Sequence, residues 1–243
     1  LHNPAHSFPT RRSSDLNISG NATLTVNHWM AIGRENSVGE LNLSGNASVT
    51  KTGNGNLVIG TGNLNIGGLG IINQNGGTFT VANGEVWLGE QGVSSGFWNL
   101  NAGQATVGTM IIAQRENSFG TFNLSGGTLS AVQVRKGSSA GLATFNFNGG
   151  TLRALEDNDA FMVGLDTADI HAGGAIIDSQ EFDITIASSL TDNTFSGGGL
   201  TKNGSGTLRL TGFNTYGGPT VVNGGKLLVS TVGFANGNYT VAN

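Results

Sequence analysis

The sequence has no cysteine, little charge and no long apolar run, and each absence excludes a class of protein. Without cysteine, its 243 residues can form neither disulfides nor cysteine-ligated zinc sites, and they offer no thiol nucleophile. Charged residues make up 11% of the chain and leave a net charge of −4, so no basic surface for nucleic acid is expected. No apolar run of about 18 residues could span a membrane.

Glycine is the most prominent residue that is present, with 41 copies, and Asn, Thr and Ser are also frequent. Glycine-rich chains can be disordered, but Val, Ile, Leu and Phe recur here at regular spacing. The composition therefore indicates a folded protein with many turns.

The first sixteen residues differ in character from everything that follows. They read LHNPAHSFPTRRSSDL, with two prolines, no apolar period and no hydrophobic region of a signal peptide. The part HSFPTRRSSDL resembles the conceptual translation of a common short-read sequencing adapter. We therefore interpret residues 1–16 as an artefactual, disordered leader, and we expect the natural protein to begin upstream.

Internal repeats decide the fold prediction. The segment IGRENSVGELNLSGN at 32–46 returns as IAQRENSFGTFNLSGG at 112–127. A shorter motif recurs as NLSGNASVTK, NQNGGTFTVA, NLSGGTLSAV and NFNGGTLRAL. Its glycines recur about every 23–31 residues, and the gap from Gly149 to Gly224 fits three more turns of about 25.

Each repeat unit predicts three short strands separated by turns. In TFNLSGG, Phe122 and Leu124 alternate with polar residues, which is the period of a half-buried strand. Asn-Gly and Gly-Gly pairs mark the turns, and no window has a convincing helical period. Three strands per unit of about 23–27 residues predict an all-β, right-handed parallel β-helix of about nine coils.

The C-terminal part resembles a known repeat. Residues 197–229 read GGGLTKNGSGTLRLTGFNTYGGPTVVNGGKLLV, which is similar to the autotransporter-associated β-strand repeat at nearly every position; Pro219 is a small departure. The upstream units resemble the repeat shared by type V secreted proteins and proteins with the PEP-type C-terminal sorting signal. The resemblance implies a secreted, surface-exposed bacterial β-helix without catalytic residues, cofactor or metal.

The domain prediction follows from these repeats. Residues 17–243 are expected to form one β-helix, with a first repeat type at 17–170 and the autotransporter-associated repeat at 171–243. We expect this domain to be truncated at both ends, since the final TVAN repeats residues 80–83, which continue there into another strand.

Three groups of residues are candidates for a functional site. The pairs Arg34-Glu35 and Arg115-Glu116 are expected about three coils apart, roughly 14 Å at strand spacing, which is too far for one catalytic pair. We interpret them as duplicated, solvated turns. The acidic stretch EDNDAFMVGLDTAD at 156–169 could offer oxygen ligands to calcium, but it lacks the spacing of known calcium loops. We favour a bulging loop there and leave calcium open.

The remaining candidates are single residues. His28 and His171 lack a partner at metal-ligand spacing and are expected at the surface or at corners. Lys226 follows NGG, but the spacing of a phosphate-binding loop is absent.

The sequence thus predicts a non-enzymatic, surface-displayed β-helix located extracellularly or at the outer membrane, with adhesion as its candidate role. Surface glycans or other cell-surface components are the expected partners, and exposed ends of the helix could drive self-association. The alternative is a β-helical carbohydrate-active enzyme, a polysaccharide lyase or hydrolase, or the stalk that carries one. Several charged residues converging within one or two coils would favour the enzyme.

Overall fold

The computed structural model describes residues 12–63, 65–137, 140–229 and 239–241, and within them every regular element is a β-strand. The strands run in chain order as β1 Arg12–Ile18, β2 Thr23–Val26, β3 Met30–Arg34, β4 Ser37–Leu43, β5 Ser48–Lys51, β6 Leu57–Asn63, β7 Ile66–Gly67, β8 Leu69–Val81, β9 Val86–Leu88, β10 Ser95–Ile112, β11 Phe119–Leu124, β12 Thr128–Lys136, β13 Leu142–Phe147, β14 Thr151–Ala154, β15 Asn158–Val163, β16 Thr167–Ile170, β17 Ala175–Asp178, β18 Ile184–Ile186, β19 Leu190–Thr191, β20 Leu200–Asn203, β21 Thr207–Leu210, β22 Thr220–Val222, β23 Lys226–Val229 and β24 Tyr239–Val241.

These strands stack in register into three faces of one solenoid. Face A is built from β1, β4, the start of β8, the start of β10, β11, β13, β16 and β19. Face B contains β2, β5, the end of β8, the middle of β10, the start of β12, β14, β17, β20, β22 and β24. Face C contains β3, β6, β9, the ends of β10 and β12, β15, β18, β21 and β23.

All described pairings are parallel except the short antiparallel contact of β6 with β7. The predicted all-β parallel β-helix is therefore confirmed, and its right-handed winding stays a prediction. In eight coils each of the three faces has a described strand, so the number of coils is slightly lower than the nine predicted. The prediction treated Gly149 and Gly224 as equivalent, whereas Gly149 precedes β14 at the corner between faces A and B. Gly224 follows β22 at the corner between faces B and C.

The core lies along the axis of the solenoid, where inward side chains of one coil rest on those of the next. Trp98, Phe122 and Phe145 occupy the same inward position of face A in three consecutive coils, with ring centroids 5.7 and 5.1 Å apart. Phe79 from face B packs against Trp98 at 4.9 Å. All four side chains are fully buried, so the alternation read from TFNLSGG gives the inward positions correctly.

The first strand begins inside the segment interpreted as a leader. β1 starts at Arg12, and Ser13 to Ile18 pair in register with Val38 to Leu43 of β4. An open edge of parallel coils accepts an extended backbone largely independently of its side chains. This pairing does not test the origin of residues 12–16, and residues 1–11 lie outside the described part of the chain. The assignment of the leader and the domain boundaries stay predictions.

Candidate functional surfaces

Face A carries an outward ladder of asparagine side chains. In each step the amide Nδ2 of one coil donates to Oδ1 of the coil before it, at 2.7–3.0 Å. The ladder comprises Asn17, Asn42, Asn73, Asn99, Asn123 and Asn146. Because each amide is both donor and acceptor, one residue type repeated at one position can link any number of coils.

The asparagine ladder stops where an acid replaces the amide. Asp169 follows Asn146 in register, and its side-chain carboxylate has no N–H to donate. Its carboxylate instead accepts hydrogen bonds from the hydroxyl of Thr191 and from the backbone N–H of Asn193, the latter at 3.2 Å. Asp169 is nearly buried, so this carboxylate has a structural role between two coils.

Face B presents two parallel columns of mostly hydroxyl side chains. The columns are in register from β2 to β14 without a shift. They contain Thr23, Ser48, Thr78, Gln104, Thr128 and Thr151 in the first and Thr25, Thr50, Thr80, Thr106, Ser130 and Arg153 in the second. Arg153 is the single charged residue among these positions, and it pairs with Asp178 of the next coil at 3.0 Å. Face B is therefore nearly uncharged over six coils.

Face C has apolar side chains at the outward position of three consecutive coils. Val58, Trp87 and Ile111 follow one another in register at outward positions, yet Val58 and Ile111 are fully buried. The indole N–H of Trp87 donates to Glu85 at 2.7 Å. Glu85 also faces Arg135 at 3.9 Å, so one carboxylate meets both the indole of Trp87 and a guanidinium two coils further on.

Two lysines sit inside the solenoid at the corner between faces B and C, and sequence analysis missed both. Lys51 occupies an inward position between Val26 and Val81 and is fully buried. Its ammonium donates to the backbone carbonyls of Gly53 at 2.9 Å, of Gly55, and of Asn83 in the next coil at 2.6 Å. The lysine thus ties two coils together at their corner.

Lys202 repeats this arrangement six coils later. Its ammonium donates to Asn203 and Gly204 of its own corner, to Gly224 of the next coil and to the hydroxyl of Ser179 in the coil before, all at 2.9–3.1 Å. Burial lowers the pKa of Lys51 and of Lys202, and nearby Asp178 counteracts this for Lys202. The shared signal is K-x-G-x-G, read as KTGNG at 51–55 and KNGSG at 202–206.

The charged pairs Arg34-Glu35 and Arg115-Glu116 lie at the corner between faces C and A, three coils apart as predicted. Arg34 and Glu35 form a loose, exposed pair at 3.6 Å, and the guanidinium of Arg34 lies 5.6 Å from the ring centroid of Trp29. Arg115 and Glu116 line a surface hollow of about 210 Å³ together with Gln91, Gly92 and Asn117.

The repetition of RENS at this corner has a conformational reason. Ser37 and Ser118 return their hydroxyls to the carbonyls of Arg34 and Arg115, three residues back. The asparagine in each copy, Asn36 or Asn117, adopts the left-handed backbone region with φ of 53° or 59°. Asn and Ser therefore shape the turn, which agrees with the interpretation of a duplicated turn.

The acidic residues of 156–169 do not gather. Asp157 accepts the backbone N–H of Asp183 at 2.7 Å. Asp166 binds the Lys136 ammonium at 2.6 Å and the Ala143 N–H at 2.7 Å. Glu156 and Asp159 are exposed. Strands β15 and β16 take up most of the predicted bulging loop. Within the described ranges no three His, Asp or Glu side chains are grouped as a metal ion would require.

The single-residue candidates lie at separate places. His28 is exposed at the corner between faces B and C of the first coil, and His171 is half-buried at the corner between faces A and B of the seventh. Lys226 is exposed at the start of β23.

Hydrogen bonds from the hydroxyl and backbone N–H of Thr207 lower the pKa of nearby Asp183, and the positive charges of Arg209 and Lys226 lower it further.

The described part of the chain holds no helix with the length and apolarity needed to cross a membrane.

The passenger-associated-transport-repeat family matches residues 200–229, which cover β20 to β23. The chain is also similar to the Adhesin BmaC autotransporter of Brucella suis biovar 1 (strain 1330). The two are 29% identical over an alignment of 232 positions that covers 88% of this chain. The chain spans 6% of the length of that relative. No solved structure matches this chain.

These matches confirm the predicted relationship to autotransporter passenger repeats. The structure also explains why the matched segment has its residues. Lys202 closes the corner described above, and the side chain of Asn214 caps the edge of β19 by accepting the Leu190 N–H at 2.9 Å. The buried hydroxyl of Tyr216 meets that of Thr220 at 2.6 Å. These residues of the matched segment therefore contribute to packing and to the corners of the solenoid.

Proposed function

We propose that this chain is a rod segment of a surface-displayed passenger protein, adhesin-like and without a catalytic role. The observation that carries the proposal is the in-register parallel stacking of all described coils. Each coil offers its neighbours the same backbone edges, asparagine rungs and apolar columns, so coils can be added to project a binding end away from a cell. The similarity to a passenger repeat and to an autotransporter adhesin supports this use of the rod.

The chemistry of the exterior supports extracellular partners without strong charge. The array on face B is nearly uncharged, and its one charged residue, Arg153, is paired with Asp178. Nucleic acid is disfavoured because such a surface lacks clustered basic residues. Neutral surface glycans, or other components of a cell surface, are the partners we propose, together with an extracellular or outer-membrane location.

Surface display can be tested with the full chain placed between a signal peptide and an autotransporter translocator domain in a Gram-negative host. We expect antibody labelling of intact cells and a protease-resistant core of the chain at the surface. The translocator alone serves as the control for adhesion of these cells to immobilised oligosaccharides. A chain that stays inside the cell, or reaches the surface without a resistant core, would contradict the proposed role.

The absence of catalysis has its own test. Purified chain is incubated with a panel of neutral and acidic polysaccharides, and the release of new reducing ends or unsaturated products is measured. Product formation that rises with the concentration of the chain would favour the carbohydrate-active enzyme instead.

A further inference from the structure

The loop between β19 and β20 presents a phenylalanine to solvent in an unusual way. Phe195 is 94% exposed, the highest value among the exposed large apolar side chains of the described residues. Its backbone adopts φ of 52°, in the left-handed region that a bulky residue avoids. An exposed apolar ring on strained backbone brings no benefit to folding, and such strain is typical of functional positions.

The loop holds this conformation through one carboxylate. Asp192 accepts hydrogen bonds from the backbone N–H groups of Ser196 at 2.9 Å and Gly197 at 2.8 Å, and from the hydroxyls of Thr194 and Ser196 at 3.2 and 3.1 Å. Partial burial opposes ionisation of Asp192, but these hydrogen bonds outweigh it and lower its pKa. The backbone on both sides of Phe195 is therefore held in place by hydrogen bonds to Asp192.

The base of the loop rests on the coils before and after it. A Cβ at Gly198 would lie 1.9 Å from the carbonyl oxygen of His171, and one at Gly217 would lie 3.4 Å from the carboxylate of Asp192. Ser196 also donates to the carbonyl of Ile170 at 3.3 Å. These contacts fix the loop backbone relative to the rod, so a partner would not have to order the loop when it binds.

The surroundings of Phe195 indicate the chemistry of that partner. The other side chains of the loop are the polar Asp192, Asn193, Thr194 and Ser196, and Asn193 and Thr194 are exposed. An apolar pocket closing over Phe195 would also take the exposed side chains of Asn193 and Thr194 out of water without replacing the hydrogen bonds that water supplies, which is unfavourable. A sugar ring can pack its C–H face on the aromatic ring while its hydroxyl groups bond the amide and hydroxyl beside it.

We propose that the loop 192–197 is a carbohydrate-binding site in which Phe195 stacks on a neutral sugar and Asn193 and Thr194 bind its hydroxyl groups. The inference deepens the proposed adhesin-like role and rests on it for biological meaning. Binding by the purified chain does not depend on display at a cell surface, so the two proposals can fail separately.

The test measures binding of the full chain to an array of neutral and acidic oligosaccharides, followed by titration of the best neutral ligand. Phe195→Ala is expected to weaken binding about tenfold or more, as expected when an aromatic anchor is truncated. Phe195→Tyr keeps the ring and should bind within about threefold of the parent chain. The matched control is Phe119→Ala, which removes a 46% exposed phenylalanine from face A and should leave binding unchanged.

Several outcomes would overturn the proposal. One is the absence of any oligosaccharide that binds, and another is an equal loss in Phe195→Ala and Phe119→Ala. Binding to vesicles of neutral phospholipid, or self-association by light scattering, that is lost in Phe195→Ala while no sugar binds would assign the ring to a different partner. Asp192→Asn provides a second variant, because a loosened loop should weaken sugar binding while the far-ultraviolet circular dichroism of the rod stays unchanged.

Discussion

At the scale of single residues, the two buried lysines are the least expected feature of this solenoid. A buried ammonium is tolerated only when hydrogen-bond acceptors replace its water. Lys51 and Lys202 satisfy this condition with backbone carbonyls at a corner, where the chain turns and leaves carbonyls without strand partners. The ammonium and the corner carbonyls therefore satisfy each other, since both would otherwise be buried without hydrogen-bond partners.

Lys202→Met tests this interpretation. The substitution keeps an apolar stem of similar length but leaves Ser179 and the carbonyls of Gly204 and Gly224 without their donor. We expect the free energy of unfolding to fall by about 2–4 kcal/mol, measured by urea denaturation of the full chain. Lys226→Met removes an exposed lysine from β23 and should change stability by about 0.5 kcal/mol or less. Equal effects of the two substitutions would contradict a structural role for the buried ammonium.

The two lysines share a sequence motif, but the motif alone does not predict that they are buried. K-x-G-x-G occurs at 51–55 and at 202–206, but a lysine beside glycines ordinarily indicates a solvated turn. Hydrophobic periodicity would place Lys51 inward, in line with Val49 on the same strand, and charge argues against that placement. The inward position becomes favourable because the carbonyls of Asn83 and Gly224 in the neighbouring coils accept hydrogen bonds from the two ammonium groups. These are long-range contacts that a local pattern does not contain.

At the scale of elements, the strands were predictable and the corners were not. Strand positions follow from alternation, so the inward residues Phe122 and Leu124 were assigned correctly. Corner geometry depends on how closely the next coil approaches, which a local pattern does not contain. For this reason the glycine spacing predicts equivalent places for Gly149 and Gly224, although they lie at different corners. The same limit applies to the loop that presents Phe195, whose conformation depends on contacts with coils on both sides.

Two glycines separate the effect of backbone conformation from that of coil approach. Gly20 and Gly53 have nearly the same φ, 64° and 65°. A Cβ at Gly20 would meet nothing within 4 Å, whereas one at Gly53 would lie 1.9 Å from the carbonyl oxygen of Asn27. Gly20→Ala should therefore cost about 1–2 kcal/mol for the left-handed conformation alone. Gly53→Ala should cost at least about 2 kcal/mol more.

Thermal denaturation of both glycine variants and the parent chain measures this difference. Because the two substitutions are chemically identical, a shared effect on the unfolded chain cancels in the comparison. If Gly53→Ala were no worse than Gly20→Ala, the close approach of the first two coils at this corner would be wrong.

At the scale of the whole molecule, stability is expected to vary along the rod. In a stack of coils each coil contacts only its neighbours, so the total approximates a sum of coil and interface contributions. The aromatic column of Phe79, Trp98, Phe122 and Phe145 and the asparagine ladder coincide in the third to sixth coils. In the first coil the inward residues Leu24 and Met30 remain half-exposed, so that coil contributes less.

Hydrogen exchange of the full chain, followed by mass spectrometry, should therefore show the slowest exchange in β8, β10, β11 and β13 and faster exchange in β2 and β3. Trp98→Ala removes the central ring of the column and leaves a cavity expected to cost about 3–5 kcal/mol. Because interfaces act between neighbours, this variant should lose protection first in the fourth coil and in the coils on either side, while β20 and β21 keep theirs. Uniform exchange along the chain, or a loss of protection in Trp98→Ala that is equal in β20 and in β10, would show that the rod unfolds as one cooperative unit instead.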